Sequence, residues 1–394
     1  MACLLNGFFC IFAATRKTLM SIEIREVTTK RELKQFVLFG IRLYSNHPYA
    51  APPLLMDDMT VLSKEKNPSF AVCEARYFMA FKGDKMVGRV AGIINHRANE
   101  RWNYHHARFG WLDMIDDLEV TRALLDAVEK WAKEKKMTAI HGPVGFTDLD
   151  REGMLVYGFD RTGTMATNYN FPYYPEHLTA LGYLKDIDWK EYNIQIPSVF
   201  PEKHFRIAKI VKDKHQLEAK HFRSSKALEK QYGKKIFDLL NTCYNDLYSY
   251  SPLSDDQIQF YIKLYLTLVR LNFISVIVNK DDEVIAFGFS LPSLTKALQK
   301  AKGRLFPFGF IHLLKALYLK NEVVDLYLMA VRPDYQIKGA SALLFAELIP
   351  EYARCGIVYA ESNPELETNQ KVSTLWESFD STHVKTRRAF IKML

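Results

Sequence analysis

The sequence predicts a mixed α/β protein, α+β in the sense of a mixed sheet, built as two halves of similar design. Three observations lead there. Strand-like and helix-like stretches alternate along the chain, each half holds a hairpin of alternating apolar residues, and each hairpin is followed by a further strand, a helix and a strand. At 394 residues the chain suits two domains, each large enough to bury its own core. We place them at residues 20–198 and 199–394.

Hydrophobic residues at 48% and charged residues at 25% exclude a disordered or fibrous chain. A formal charge of +8 reads as a solvated face and not as a nucleic-acid footprint. The 5 cysteines are odd in number and form no C-x-x-C pair, and the 11 histidines include no H-E-x-x-H. Neither a disulfide framework nor a metal site is expected. The apolar run Ala2 to Ala14 precedes Arg16 and Lys17 but has no charged leader and no small-x-small cleavage site. It is shorter than the roughly 18 residues that span a bilayer. Met20 is therefore read as the natural start, with cytoplasmic residence.

In order, the first half reads as a strand at Ile22 to Val27, a helix at Lys30 to Tyr44, a Pro-rich crossing at His47 to Pro53 and a short helix near Leu55. A hairpin follows, Ala75 to Phe81 and Met86 to Asn95. Next come a strand at Phe109 to Ile115, a helix at Leu118 to Lys135, a strand at Ala139 to Val144, a helix at Pro175 to Leu181 and a strand at Trp189 to Ile196. The second half opens with extended chain from Phe205 to about Phe222. Helices at Ala227 to Leu247 and Ser254 to Val269 lead to a hairpin of Phe273 to Val278 and Val284 to Leu291. The segment Leu294 to Lys320 is aromatic, apolar and flanked by lysines. It fits a lid over an acyl chain, a surface that touches membrane, or a helix pair completing the core; Pro307 and Gly309 interrupt any long interfacial helix. A strand at Val323 to Val331, a helix at Ala340 to Ala353, a strand at Ile357 to Ala360, a helix at Asn369 to Phe379 and a strand at Val384 to Met393 complete the order.

The stretch that carries chemistry runs from Leu328 to Leu344. A strand ends at Pro333, a short loop holds Gly339, and an amphipathic helix starts at once. Unpaired backbone N–H groups and the positive end of the helix dipole then meet at one spot, where a pyrophosphate can be held. Gly339 lets the backbone approach closely, while Gln336 and Lys338 add donors and charge.

This stretch resembles the GCN5-related N-acetyltransferase (GNAT) family, whose pattern here is Q/R-x-x-G-x-G/A after V-x-P-x-Y. The match is Val331, Pro333, Tyr335, Gln336 and Gly339; the departure is Ser341. The resemblance implies two tandem GNAT-like folds, with acetyl-CoA or a longer acyl-CoA as co-substrate. It also implies CoA contacts from Met329, Val331, Gln336, Lys338, Gly339, Ala340, Ser341, Asn363 and Asn369, the backbone near Met329 to Val331 meeting the pantetheine arm. Trp376 stands where many members keep the tyrosine that protonates the departing thiolate, and an indole N–H cannot take that role. Candidates for the base are Asp325 and Tyr327, on one face of a strand by period two, and Glu361.

The matching junction in the first half, Trp111 to Thr121, has no glycine and carries Asp113, Asp116, Asp117 and Glu119. Carboxylates there satisfy the helix end and repel a pyrophosphate. The first half does keep a long loop, Gly142 to Tyr174, in which Asp148, Asp150, Glu152 and Asn168 are candidates to meet a polar or cationic substrate. Asn46-His47-Pro48-Tyr49, the strand end Ala91 to Arg97 and Phe146-Thr147-Asp148 together resemble an uncharacterised bacterial family of tandem GNAT-like proteins. The reading of function is acyl transfer from acyl-CoA to a small-molecule amine by direct attack. The alternative is a catalytically silent acyl-CoA-binding or regulatory protein. Neither involves nucleic acid or stable membrane insertion.

Overall fold

The computed structural model describes residues 21–265, 270–369, 376 and 379–394. The strands are β1 (Ile22–Glu26), β2 (Cys73–Lys82), β3 (Lys85–Asn95), β4 (His106–Met114), β5 (Ala139–Gly142), β6 (Met154–Tyr157) and β7 (Leu184–Gln195) in the first half. The second half supplies β8 (Glu218–Lys220), β9 (Ile274–Val278), β10 (Val284–Pro292), β11 (Val323–Val331), β12 (Tyr359–Glu361), β13 (Glu365–Leu366) and β14 (Ser381–Met393). The helices of the first half are α1 (Lys30–Leu43), α2 (Leu55–Val61), α3 (His96–Trp102), α4 (Leu118–Glu134) and α5 (Tyr173–Ala180). Those of the second are α6 (Glu202–His215), α7 (Ser225–Leu228), α8 (Lys234–Tyr244), α9 (Asp255–Tyr265), α10 (Thr295–Ala301), α11 (Gly309–Tyr318), α12 (Pro333–Gln336) and α13 (Ala340–Arg354).

One mixed sheet runs through the described residues in the order β1-β2-β3-β4-β5-β14-β7-β12-β11-β10-β9-β8. The final strand therefore crosses back and sits between β5 and β7, pairing with both and with β6. Its alternation of buried Lys385, Arg387 and Ala389 with part-exposed neighbours places two cations inside the molecule. Glu191 of β7 meets Lys385 at 2.9 Å and Arg387 at 2.5 Å, which pairs the buried charges. On the other side, β7 joins β12 through Asn193 to Gln195, so the sheet is continuous between the halves.

Each half wraps its part of the sheet with amphipathic helices. Val120, Leu124, Leu125 and Val128 of α4 enter the core of the first half, as Leu343, Leu344, Leu348 and Ile349 of α13 enter those of the second.

Three expectations are corrected. The chain from Phe205 to Phe222 is not extended: it forms α6 and the short β8. Its apolar face is little more than Ala208 and Val211 among lysines, and packing on Ala340, Leu343 and Leu344 of α13 stabilises it. His96 and Arg97 do not end a strand but begin α3, whose N-cap Asn95 accepts from the Ala98 N–H at 2.9 Å. The loop Gly142 to Tyr174 is interrupted by β6, which pairs with β14. The region Leu294 to Lys320 forms the helix pair α10 and α11, broken between Ala301 and Gly309. Of the expected helix Asn369 to Phe379, residues 370–375 and 377–378 lie outside the described residues, as do 266–269 of the helix read to Val269 and the apolar run before Met20.

Candidate functional site

Gly339 is the N-cap of α13 and adopts φ 78°, ψ 22°, a left-handed backbone that strains other residues. No side chain caps the helix; the Ala342 N–H donates to the Gly339 carbonyl at 3.0 Å, and the positive end of the helix dipole lies at this spot. Ser341 is part-exposed there, whereas Ala340 is fully buried against α6. Gln336 does not point outward as a donor for a ligand alone: its Nε2 donates to the Val331 carbonyl at 2.9 Å and pins the loop to the end of β11. Lys338 lies over the Tyr335 ring at 3.9 Å and within 3.8 Å of Asp334. The end of α6 lies beside this loop, for a Cβ on Gly339 would meet Val211 at 3.4 Å. Its last turn carries Lys212, Lys214 and His215, and the His215 ring lies 6.2 Å from that of Tyr335.

β11 pairs with β12 only from Val323 to Asp325; beyond Asp325 that pairing ends, and β11 continues to Val331 paired with β10 on one side only. A bulge opposite Phe289 and Ser290 lies at Tyr327 and shifts the side-chain alternation. Arg332 N–H donates to Ile285 of β10, so the backbone groups of Met329 and Val331 face away from β10 along the free edge. Their carbonyls are engaged by side chains: Met329 by the Tyr244 hydroxyl at 3.3 Å, Val331 by Gln336 and the Cys243 thiol. The Tyr327 carbonyl accepts from Asn363 Nδ2 at 2.6 Å. Along this edge the Tyr327 hydroxyl, Asn363 Oδ1, Glu365 Oε2 and both Asp325 oxygens are buried without a hydrogen-bond partner among the described residues. Orphaned polar atoms in such number are uncommon in a packed interior.

Opposite the edge lies the first-half loop. Asp148, Asp150 and Glu152 are part-exposed, yet burial dominates their titration. Asp150 accepts from the Phe146 and Thr147 N–H groups at 2.8 and 3.2 Å, and burial still pushes it up to about 6. Burial, then the neighbouring acid charges, raise Asp148 and Glu152, against the opposing pull of buried Arg108. Arg108 is held by the carbonyls of Gly145 at 3.0 Å and Ser249 at 2.9 Å. Tyr244 at the end of α8 packs in one apolar cluster with Leu149 of this loop and Leu328 of β11.

Of the other predicted residues, Glu361 is tied to Lys385 at 3.2 Å, and Asn168 gives its carbonyl to Arg387 at 2.5 Å. Asn369 is part-exposed, with its N–H on the Leu366 carbonyl. Trp376 is buried against Phe345 and Phe379, and its Nε1 donates to Glu365 Oε1 at 2.7 Å. Burial raises Glu365 to about 8, so it is largely protonated at neutral pH. Arg108, Tyr244 and Glu365 were missed by sequence reasoning, since no spacing links them. The basic turn of α6 was missed with its helix, although Ala208 and Val211 at three-residue spacing were a faint signal. In the first half, Asp117 caps α4 and Asp113 pairs with Arg89 at 2.6 Å, so the acids at that junction are satisfied within the protein.

No family model matches the chain. It is 29% identical over 384 residues to Protein YghO of Escherichia coli (strain K12), covering 94% of this chain and 95% of that one. It is 25% identical over 390 residues to the bacterial ceramide synthase of Caulobacter vibrioides, covering 95% and 98%. Among solved structures, a tandem GNAT protein from the clavulanic acid biosynthesis pathway matches with a TM-score of 0.55 at 10% identity, over 95% of this chain and 98% of that one. A GCN5-related glucosamine N-acetyltransferase region of a fungal multi-domain GH3 β-N-acetylglucosaminidase matches with the same TM-score and identity, over 95% of this chain and 38% of that one. The chain has the fold of tandem GNAT proteins. Among the described residues no His/Cys/Asp/Glu group is arranged to hold a metal ion, and no helix is long and apolar enough to cross a membrane.

Proposed function

We propose that this protein transfers an acyl group from acyl-CoA to an amine, the donor held by the C-terminal half and the amine received beside the acids of the first-half loop. One observation carries the reading: Tyr244 donates to the Met329 carbonyl on the free edge of β11 at 3.3 Å and packs in one apolar cluster with Leu149 of the acid-bearing first-half loop. The uncapped α13 N-terminus fits a pyrophosphate by its N–H groups and dipole, with Lys338 and the basic turn of α6 adding charge. The β11 edge would orient the pantetheine arm beside Tyr327 and Asn363. Asp148, pushed up to about 7 by burial, is poised near neutral pH to accept a proton from a substrate ammonium. As the C–N bond forms and the C–S bond breaks, Glu365, a protonated acid at neutral pH, can supply the proton to the leaving sulfur. Trp376 would then act as the support that orients Glu365. A ceramide is an amide of a fatty acid and a long-chain amino alcohol, so the name of the Caulobacter relative favours a fatty acyl group and a lipid amine.

Thiol release from an acyl-CoA chain-length series, with short and long-chain amines and mass detection of the amide, tests this. We expect release that depends on amine and falls about 100-fold or more in Asp148→Asn, with acyl-CoA affinity retained. The rate should decline as pH rises past about 8, where Glu365 loses its proton. Binding of acyl-CoA without release in the presence of any amine would favour the silent reading, which the buried, phenol-less Trp376 position supports.

A further inference from the structure

From Val284 to Asn321 the chain contains no Asp or Glu, but it contains Lys296, Lys300, Lys302, Arg304, Lys315 and Lys320. Helices α10 and α11 occupy most of this stretch, between β10 and β11. Leu313 and Leu317 of α11 face the core, in a cluster with Leu294, Leu298 and Tyr327. The outer face is apolar too: Phe310, Ile311, Leu314 and Tyr318 are 38%, 37%, 48% and 61% exposed. At the connection between the helices, Phe306 and Phe308 are each 70% exposed. They border a groove closed on its far side by Leu38, Ile41 and Arg42 of α1, with Lys300, Lys302 and Arg304 on its rim. A monomer gains nothing by leaving large aromatic rings in water. Rings flanked by cations and free of acids match the boundary of an anionic bilayer, where apolar groups enter the headgroup layer and lysines meet lipid phosphates.

We propose that the α10–α11 connection, with the outer face of α11, docks the protein on an anionic lipid bilayer. The docking is peripheral, since each helix is far too short to span the hydrocarbon layer. This inference does not rest on the acyl-transfer reading, because it is tested without CoA or amine.

The experiment is flotation of the full chain with vesicles of phosphatidylcholine alone and of phosphatidylcholine mixed with phosphatidylglycerol. We expect binding to the anionic vesicles that weakens with added salt, and little binding to the neutral ones. Two variants, Phe306→Ser/Phe308→Ser and Lys300→Glu/Lys302→Glu, should each lower partitioning about tenfold or more while keeping the thermal transition of the wild type. No binding by the wild type, or binding retained by both variants, overturns the proposal. So does a wild-type dimer in size-exclusion chromatography that the Phe variant abolishes without vesicle binding in either, since the face would then belong to a second copy of the chain.

Discussion

Asp325 places both carboxylate oxygens in the interior of β11 without a hydrogen-bond partner among the described residues. Burial first, then the charge of Glu361, push it up to about 8. The folded protein thus keeps a proton that the unfolded chain sheds at the ordinary carboxylate value of about 4. Its stabilising contribution is fully present below that value, declines as pH rises, and is lost above about 8, at up to about 1.4 kcal/mol per pH unit. We therefore expect the thermal transition of the wild type to fall from weakly acid to weakly alkaline pH, and that of Asp325→Asn to fall less. Thermal scans across that range check this, and parallel curves for the two proteins would refute it. Tyr327 and Glu361 differ in role: one hydroxyl is buried without a partner among the described residues, while one carboxylate is held by Lys385.

At the scale of elements, the β11–loop–α13 unit was legible because its cause is local. A strand, a loop with Gly339 in the left-handed region and an amphipathic helix are contiguous in sequence. The bulge at Tyr327 was not legible, since it exists only in the register between β10 and β11. Helix α6 was misread because tertiary packing on α13, and not its own apolar periodicity, holds it in place. That packing sets its basic turn beside the Gly339 loop. Lys212 and Lys214 are exposed, so Lys212→Glu/Lys214→Glu should leave the thermal transition nearly unchanged. It should weaken acyl-CoA binding by about tenfold, more at low salt than at high. Unaltered affinity in a binding titration would remove α6 from the site.

Over the whole molecule, the consequential feature is the path of the last strand. By lying between β5 and β7, β14 joins the halves through one sheet and carries Lys385 and Arg387 inward to Glu191 and Glu361. The same junction sets the acid-bearing loop of the first half against the β11 edge of the second. The alternation of elements was readable in each half, but their joining was not: the partners of β14 lie more than 180 residues away from it in sequence. Asp148, Asp150 and Glu152 could be selected from the composition of their loop, yet Arg108 meets that loop only through the pairing of β4 with β5, and Tyr244 only through packing across the two halves. The central claim, that acyl-CoA is held at the N-terminus of α13, is most directly tested by calorimetric titration of acyl-CoA into the wild type and Gly339→Asp. The account predicts saturable binding by the wild type and its loss in a variant that still melts cooperatively. No binding by the wild type, or equal affinity in a folded Gly339→Asp protein, would contradict it.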